Sequence, residues 1–89
     1  MIRHPVIITN KLGLHARAAA KLVGTASQYQ SRVLLGKDGR EVDGKSIMSV
    51  MMLAASKGTE IELVIDGTDE VAAKEALVEL IEDYFGEGE

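Results

Sequence analysis

The sequence predicts an α+β domain with helices packed on one face of a mainly antiparallel sheet. Three observations carry that expectation. Strand-like and helix-like segments follow one another in the order β-α-β-β-α-β-α with short connections. The strand-like segments are rich in β-branched residues, and the one at Glu60–Asp66 alternates polar with apolar residues at its start. An Asp38-Gly39 pair between two of them signals a hairpin, because both central positions of a type I′ turn need positive φ. A chain of 89 residues leaves room for one core, so residues 1–89 are expected to form one domain, without internal repeats or low-complexity linkers.

The elements follow in order. Pro5-Val6-Ile7-Ile8-Thr9 reads as a first strand, its proline marking a strand start or a sheet edge, before the turn Asn10-Lys11-Leu12-Gly13. Over residues 16–28, Ala19, Leu22, Val23 and Ala26 recur at i, i+3, i+4 and i+7, the buried stripe of an amphipathic helix, which turns Arg17, Lys21 and Gln28 outward. Residues 32–36 form a second strand, the Asp38-Gly39 turn follows, and Arg40–Asp43 is a short third strand. Ser46 caps a second helix beginning at Ile47 and ended by Lys57-Gly58. Glu60–Asp66 is the fourth strand. Asp69 and Glu70 suit the positive end of a third helix, along which Ala73, Leu77, Leu80, Ile81 and Tyr84 line one face, and residues 86–89 are expected to fray.

Composition narrows the function. A net charge of -4 with two tyrosines, one phenylalanine and no tryptophan argues against the basic surface and stacking platforms of nucleic-acid binding. Cysteine is absent, which excludes disulfides and thiolate metal sites, and His4 with His15 lacks a third ligand at a useful spacing, so neither a metal nor a cofactor is expected. No apolar stretch approaches the roughly 18 residues of a membrane span, and the start lacks the apolar run of a secretory leader. A cytoplasmic protein without membrane insertion is the expectation.

One segment imitates a nucleotide site. Gly39–Ser46, read as 39–46, fits the pattern G-x-x-x-x-G-K-[ST] of a phosphate-cradling loop, and Leu63-Val64-Ile65-Asp66 resembles a magnesium-binding strand end. Against it, Asp38-Gly39 signals a hairpin, and Glu41 and Asp43 bring negative charge where a triphosphate would lie. Such loops also need a parallel sheet covered on both faces, for which this chain is too short.

The stretch Gly13-Leu14-His15-Ala16-Arg17 is the stronger candidate. A helix N-terminus presents unpaired N–H groups and about half a positive charge, and small residues let an anion approach it. A lone histidine at such a junction often does no more than fill it. Here His15 is placed to act as a nucleophile for a phosphoryl group, with Arg17 supplying donors to its equatorial oxygens. Farther on, the run Ile47-Met48-Ser49-Val50-Met51-Met52-Leu53 is too apolar for a short helix over a thin core, although methionines also fill gaps in cores.

These residues resemble the HPr phosphocarriers of the phosphoenolpyruvate-dependent phosphotransferase system. The likeness rests on Gly13-Leu14-His15-Ala16-Arg17 with Ala19-Ala20, and on the preceding Ile8-Thr9-Asn10-Lys11-Leu12-Gly13. It extends through Gly44-Lys45-Ser46-Ile47-Met48 and Ala55-Ser56-Lys57-Gly58-Thr59-Glu60, over nearly the whole chain. The resemblance implies an open-faced β-sandwich, a four-stranded antiparallel sheet with three helices on one face. It implies that His15 accepts the phosphoryl group on Nδ1, that Enzyme I donates it, and that sugar-specific IIA domains receive it. It further implies that Ser46 is phosphorylated by HPr kinase/phosphorylase, where the added charge would act as a brake on transfer. A docking patch of Ala16, Ala20, Lys21, Ile47, Met48 and Met51 beside His15 is implied, with Val50 and Leu53 buried, on a protein that is a monomer. Ala18 departs from the pattern, since the family usually has proline there, and alanine restores a donor and loosens the first turn.

Two other readings share these residues. Ile8-Thr9-Asn10-Lys11-Leu12-Gly13 and Val33-Leu34-Leu35 are also similar to the nitrogen-related branch of the family, whereas Ser46-Ile47-Met48 is similar to the regulated sugar branch. A non-catalytic anion-binding or regulatory domain, which keeps the fold without forming phosphohistidine, is the reading from another class.

Overall fold

The computed structural model describes residues 1–88. Four antiparallel strands form one sheet in the order β1-β4-β2-β3, with β1 Ile2–Ile7, β2 Arg32–Lys37, β3 Arg40–Asp43 and β4 Glu60–Asp66. Three α-helices, α1 Ala16–Ala26, α2 Ile47–Met52 and α3 Glu70–Glu82, supply the residues that cover one face, and a 3-10 turn, Tyr84–Gly86, follows α3. The architecture is the open-faced β-sandwich.

The core lies between sheet and helices. Alternation in β4 sends Ile61, Leu63 and Ile65 to that side, where they join Val33 and Leu35 of β2. Leu22 and Ala26 of α1, Val50 of α2, and Ala73, Leu77 and Ile81 of α3 close over them. On α1 the buried set is Ala18, Ala19, Leu22 and Ala26, with Val23 half-buried at the margin. The uncovered face carries the exposed charges of Arg3, Glu62 and Glu41, with Arg3 Nη1 2.9 Å from Glu62 and 3.5 Å from Glu41. Ion pairs this open to water stabilise little.

The third and fourth strands lie where the sequence predicts them, and the turn between β2 and β3 has φ of 53° at Asp38 and 80° at Gly39. Other boundaries move for identifiable reasons. The first strand spans Ile2–Ile7 rather than 5–9, with Pro5 opposite Glu62 on an edge strand, where its missing donor is tolerated. Ile8 instead bonds the Gly58-Thr59 turn, its N–H to the Thr59 carbonyl at 2.9 Å and its carbonyl from the Gly58 N–H at 2.7 Å. Helix α1 stops at Ala26 rather than at residue 28.

Helix α2 ends at Met52, well before Lys57-Gly58. Ala54 turns left-handed at φ 55°, and two cations from the β2–β3 hairpin take up the last carbonyls, Arg40 Nη2 to Met52 O at 2.7 Å and Lys37 Nζ to Leu53 O at 3.1 Å. After α3 the sequence expectation fails more sharply. Tyr84 is exposed and off the helix face, because positive φ at Tyr84 and Phe85 reverses the chain and buries the Phe85 ring instead. Gly86 and Glu87 do not fray: their amides bond Asp83 O and Tyr84 O, each at 2.9 Å. Residue 89 lies outside the described residues.

Asp69, at the start of α3, spends its carboxylate on another segment. It accepts from the backbone N–H groups of Gln30 and Ser31, each at 2.9 Å, and from the Ser31 hydroxyl, so α3 is tied to the α1–β2 connection. The Ser31 hydroxyl, followed by the Gln30 amide, holds the Asp69 carboxyl below its ordinary value. A carboxyl whose pKa is lower in the folded state stabilises fully above its unfolded pKa of about 3.9, and the contribution fades as pH falls through the folded value. Urea midpoints measured from pH 7 to pH 2 should therefore fall less steeply below pH 4 in Asp69→Asn than in the parent protein.

Candidate functional site

His15 stands at the N-cap of α1, delivered there by a turn that only glycine fits. Gly13 sits at φ 69°, and a Cβ on it would lie 2.7 Å from the Ala55 carbonyl oxygen. That close approach lets Leu14 N–H bond the same carbonyl at 2.8 Å, which fastens the turn to the segment after α2. His15 is extended at φ -76° and ψ 178°, and its side chain makes no capping bond. The first helical bond is Ala19 N–H to His15 O at 2.8 Å, so the amides of Ala16, Arg17 and Ala18 lie ahead of the hydrogen-bond ladder. No acidic residue occupies that first turn. The N-terminus is open to an anion.

The ring itself is held from one side. Glu87 Oε2 lies 2.5 Å from His15 Nε2, while Glu87 Oε1 accepts from Asn10 Nδ2 at 3.1 Å. Asn10, fully buried, also donates to the Gly13 carbonyl at 2.8 Å. Among the described residues nothing hydrogen-bonds His15 Nδ1, and the side chain keeps 28% of its surface exposed. Arg17 is exposed, and its guanidinium makes no hydrogen bond among the described residues, so its donors are available. Burial pushes the Glu87 carboxyl upward, but hydrogen bonds from His15 and Asn10 and the nearby charges of His15 and Arg17 outweigh it and leave the pKa below the ordinary value.

Ser46 caps α2 as the sequence predicts, its Oγ accepting from Ser49 N–H at 3.3 Å, and it remains half-buried. Val50 and Leu53 are buried, whereas Ile47, Met48 and Met51 face solvent, Met48 at 73%. Ala16 and Ala20 are exposed on α1, which packs against α2. Lys21 is exposed too, but its ammonium donates to the Phe85 carbonyl at 2.6 Å.

The nucleotide-loop pattern is not a loop. Gly39 belongs to the hairpin turn, Arg40–Asp43 is β3, and Lys45 donates to the Tyr29 carbonyl at 2.7 Å. Gly44 is required because a Cβ there would meet Val33 Cγ1 at 2.7 Å. Among the described residues no cluster of metal-ligating side chains occurs, and no helix is long and apolar enough to cross a membrane.

Sequence reasoning missed Asn10, Glu87, Leu12 and Met52. Leu12 and Met52 are also exposed apolar side chains. Asn10 was legible only as a turn residue, and Glu87 only through Phe85, a large hydrophobe too far along the chain to be left in a frayed end.

Fold and site together define a class, the open-faced α+β domains that present a histidine at an uncapped helix N-terminus. The family model described as "PTS HPr component phosphorylation site" matches residues 2–83. The chain is 60% identical over 87 residues to the phosphocarrier protein HPr of Xylella fastidiosa, covering 98% of each chain. Among solved structures it resembles HPr-C-His from Thermoanaerobacter tengcongensis, with TM-score 0.95, 47% identity and 98% of each chain covered. It also resembles an HPr dimer from that organism, with TM-score 0.79, 49% identity and coverage of 92% of this chain and 94% of the other. The chain belongs to the HPr family, the phosphocarriers of the phosphotransferase system.

Ala18 is fully buried, and its amide lies ahead of the first helical bond, so a proline there would forfeit no hydrogen bond. Ala18→Pro should raise stability by about 0.4–1 kcal/mol through the unfolded chain's lost freedom, read as a higher urea midpoint with an unchanged slope.

Proposed function

We propose that His15 carries a phosphoryl group between proteins, receiving it from phosphorylated Enzyme I and passing it to a IIA domain. The observation that carries this reading is the unpartnered Nδ1 of a half-buried histidine beside the open amides of α1. The Nδ1 lone pair attacks phosphorus as the bond to the donor breaks, and the reverse step delivers the group to the next protein. Arg17 and the first-turn amides offer donors to the phosphoryl oxygens while charge is in flight. The exposed α2 face with Ala16 and Ala20 suits brief contacts with several partners, since methionine side chains adapt to different surfaces.

On this reading residues 1–89 act as one cytoplasmic domain, a monomer of 9.6 kDa that is itself consumed and regenerated. Incubation with labelled phosphoenolpyruvate and Enzyme I should place acid-labile label on the protein and none on His15→Ala. A wild-type protein that stays unlabelled rejects the carrier role in favour of a non-catalytic domain, and a variant labelled equally rejects His15 as the acceptor.

Ser46 is the site of control in this reading, through HPr kinase/phosphorylase. A phosphate there adds about -1.5 to -2 charges at the start of α2, next to exposed Ile47 and Met48, and repels an acidic partner docking on that face. Ser46→Asp should slow phosphorylation by Enzyme I about fivefold, the equivalent of ~1 kcal/mol for one like charge at a hydrated surface, with the circular dichroism spectrum unchanged. An equal rate would remove the control role.

A further inference from the structure

A neutral imidazole has one N–H and one lone pair, and the partner of one nitrogen decides what the other can do. At His15 that partner is Glu87, whose Oε2 lies 2.5 Å from Nε2. A carboxylate only accepts, so the proton belongs on Nε2 and the lone pair on Nδ1. We propose that Glu87 is a positioning residue for phosphoryl transfer, holding Nε2–H so that the ring keeps its orientation and Nδ1 stays the nucleophile. The proposal rests on the reading of His15 as the phosphoryl acceptor.

The contact is built into the fold. The Glu87 side chain is only 9% exposed, and the buried Asn10 amide joins its Oε1 to the carbonyl of Gly13, the turn that presents His15. Upstream, the buried Phe85 ring anchors the tail and Lys21 Nζ holds the Phe85 carbonyl. Gly86, at φ 74°, then turns the chain back toward α1. The carboxyl's depressed pKa agrees with an anion held by donors.

The chemistry balances without a proton moving. When the bond from phosphorus to Nδ1 forms, the ring becomes cationic with Nε2–H in place, and the Glu87 carboxylate offsets that charge. When the group leaves, the N–P bond breaks and neutral Nε2–H imidazole remains, ready for the next cycle. The same carboxylate acting as a plug would instead repel an incoming phosphoryl group, and its removal would speed transfer. Its place on Nε2, away from the open nitrogen, favours positioning.

The test compares wild type, Glu87→Ala and Glu87→Asp by two readouts. Long-range proton–nitrogen NMR of the 15N-labelled ring, at a pH where it is neutral, should show the Nε2–H tautomer in wild type and a mixture in Glu87→Ala. Acceptance of label from phosphorylated Enzyme I should slow about tenfold in Glu87→Ala, the scale of one charge-assisted hydrogen bond, and recover in part in Glu87→Asp. Backbone spectra matching wild type beyond the site establish that the fold is intact. An unchanged tautomer in Glu87→Ala, or a rate equal to or above wild type, overturns the proposal. The ring spectra need no phosphoryl donor, so a wild-type protein with the Nε2–H tautomer that accepts no label fails the carrier reading, and with it the transfer role, while leaving the hold on the ring demonstrated.

Discussion

The site depends on one buried amide. Asn10 is enclosed completely, and its Nδ2 spans two segments that are far apart in sequence, the turn before α1 through Gly13 O and the tail after α3 through Glu87. Its Oδ1 has no hydrogen-bond partner among the described residues. Both Nδ2 donors are met, one by a carbonyl and one by a carboxylate, and a hydrogen bond to a charged group contributes about 1.5–3 kcal/mol. Hydrophobic packing encloses the amide. Ile8, Leu14 and Phe85 are all buried in the core, on the segments that Asn10 joins. The polar geometry is thus as firm as the apolar contacts that enclose it.

What the sequence discloses follows the range of the interaction. Strands β3 and β4, the left-handed hairpin turn and the Ser46 cap each obey forces acting within a few residues, and each is readable from a short window. The end of α2 is not, because its stop is set by Arg40 and Lys37 reaching from the hairpin to the last carbonyls, and no residue within the helix announces them. Ile8 shows the same effect. Its β-branched side chain suits a strand, yet its backbone groups bond the Gly58-Thr59 turn, so the strand ends at Ile7, two residues before the end read from the sequence.

The tail is the instructive failure. Glycines and glutamates from residue 86 onward have the composition of a frayed end, and local propensity predicts nothing else. Two residues in left-handed conformation put Phe85 into the core, and burial of that aromatic ring, together with the Gly86 and Glu87 amide bonds and the Lys21 contact, opposes the entropy of ordering the residues behind it. Once Phe85 is fixed, Lys21 finds its carbonyl and Glu87 reaches His15. One hydrophobe therefore converts an expected loose end into part of the site.

The two shorter helices treat their N-termini in opposite ways. At α2 a serine hydroxyl turns back onto the Ser49 amide, satisfying the helix from its own cap. At α1 the cap residue is a histidine whose ring turns away to Glu87, leaving three amides ahead of the ladder without a side-chain acceptor. A fold selected for stability alone would place serine or aspartate at both positions, since the gain is about 1 kcal/mol at each. The helix dipole and the guanidinium of Arg17 then add positive potential at the same place, beside a ring that is supported from one side and open on the other. The stabilisation forgone at residue 15 leaves the first-turn amides of α1 unmet by any side chain among the described residues, and those are the donors that the proposed carrier role would use.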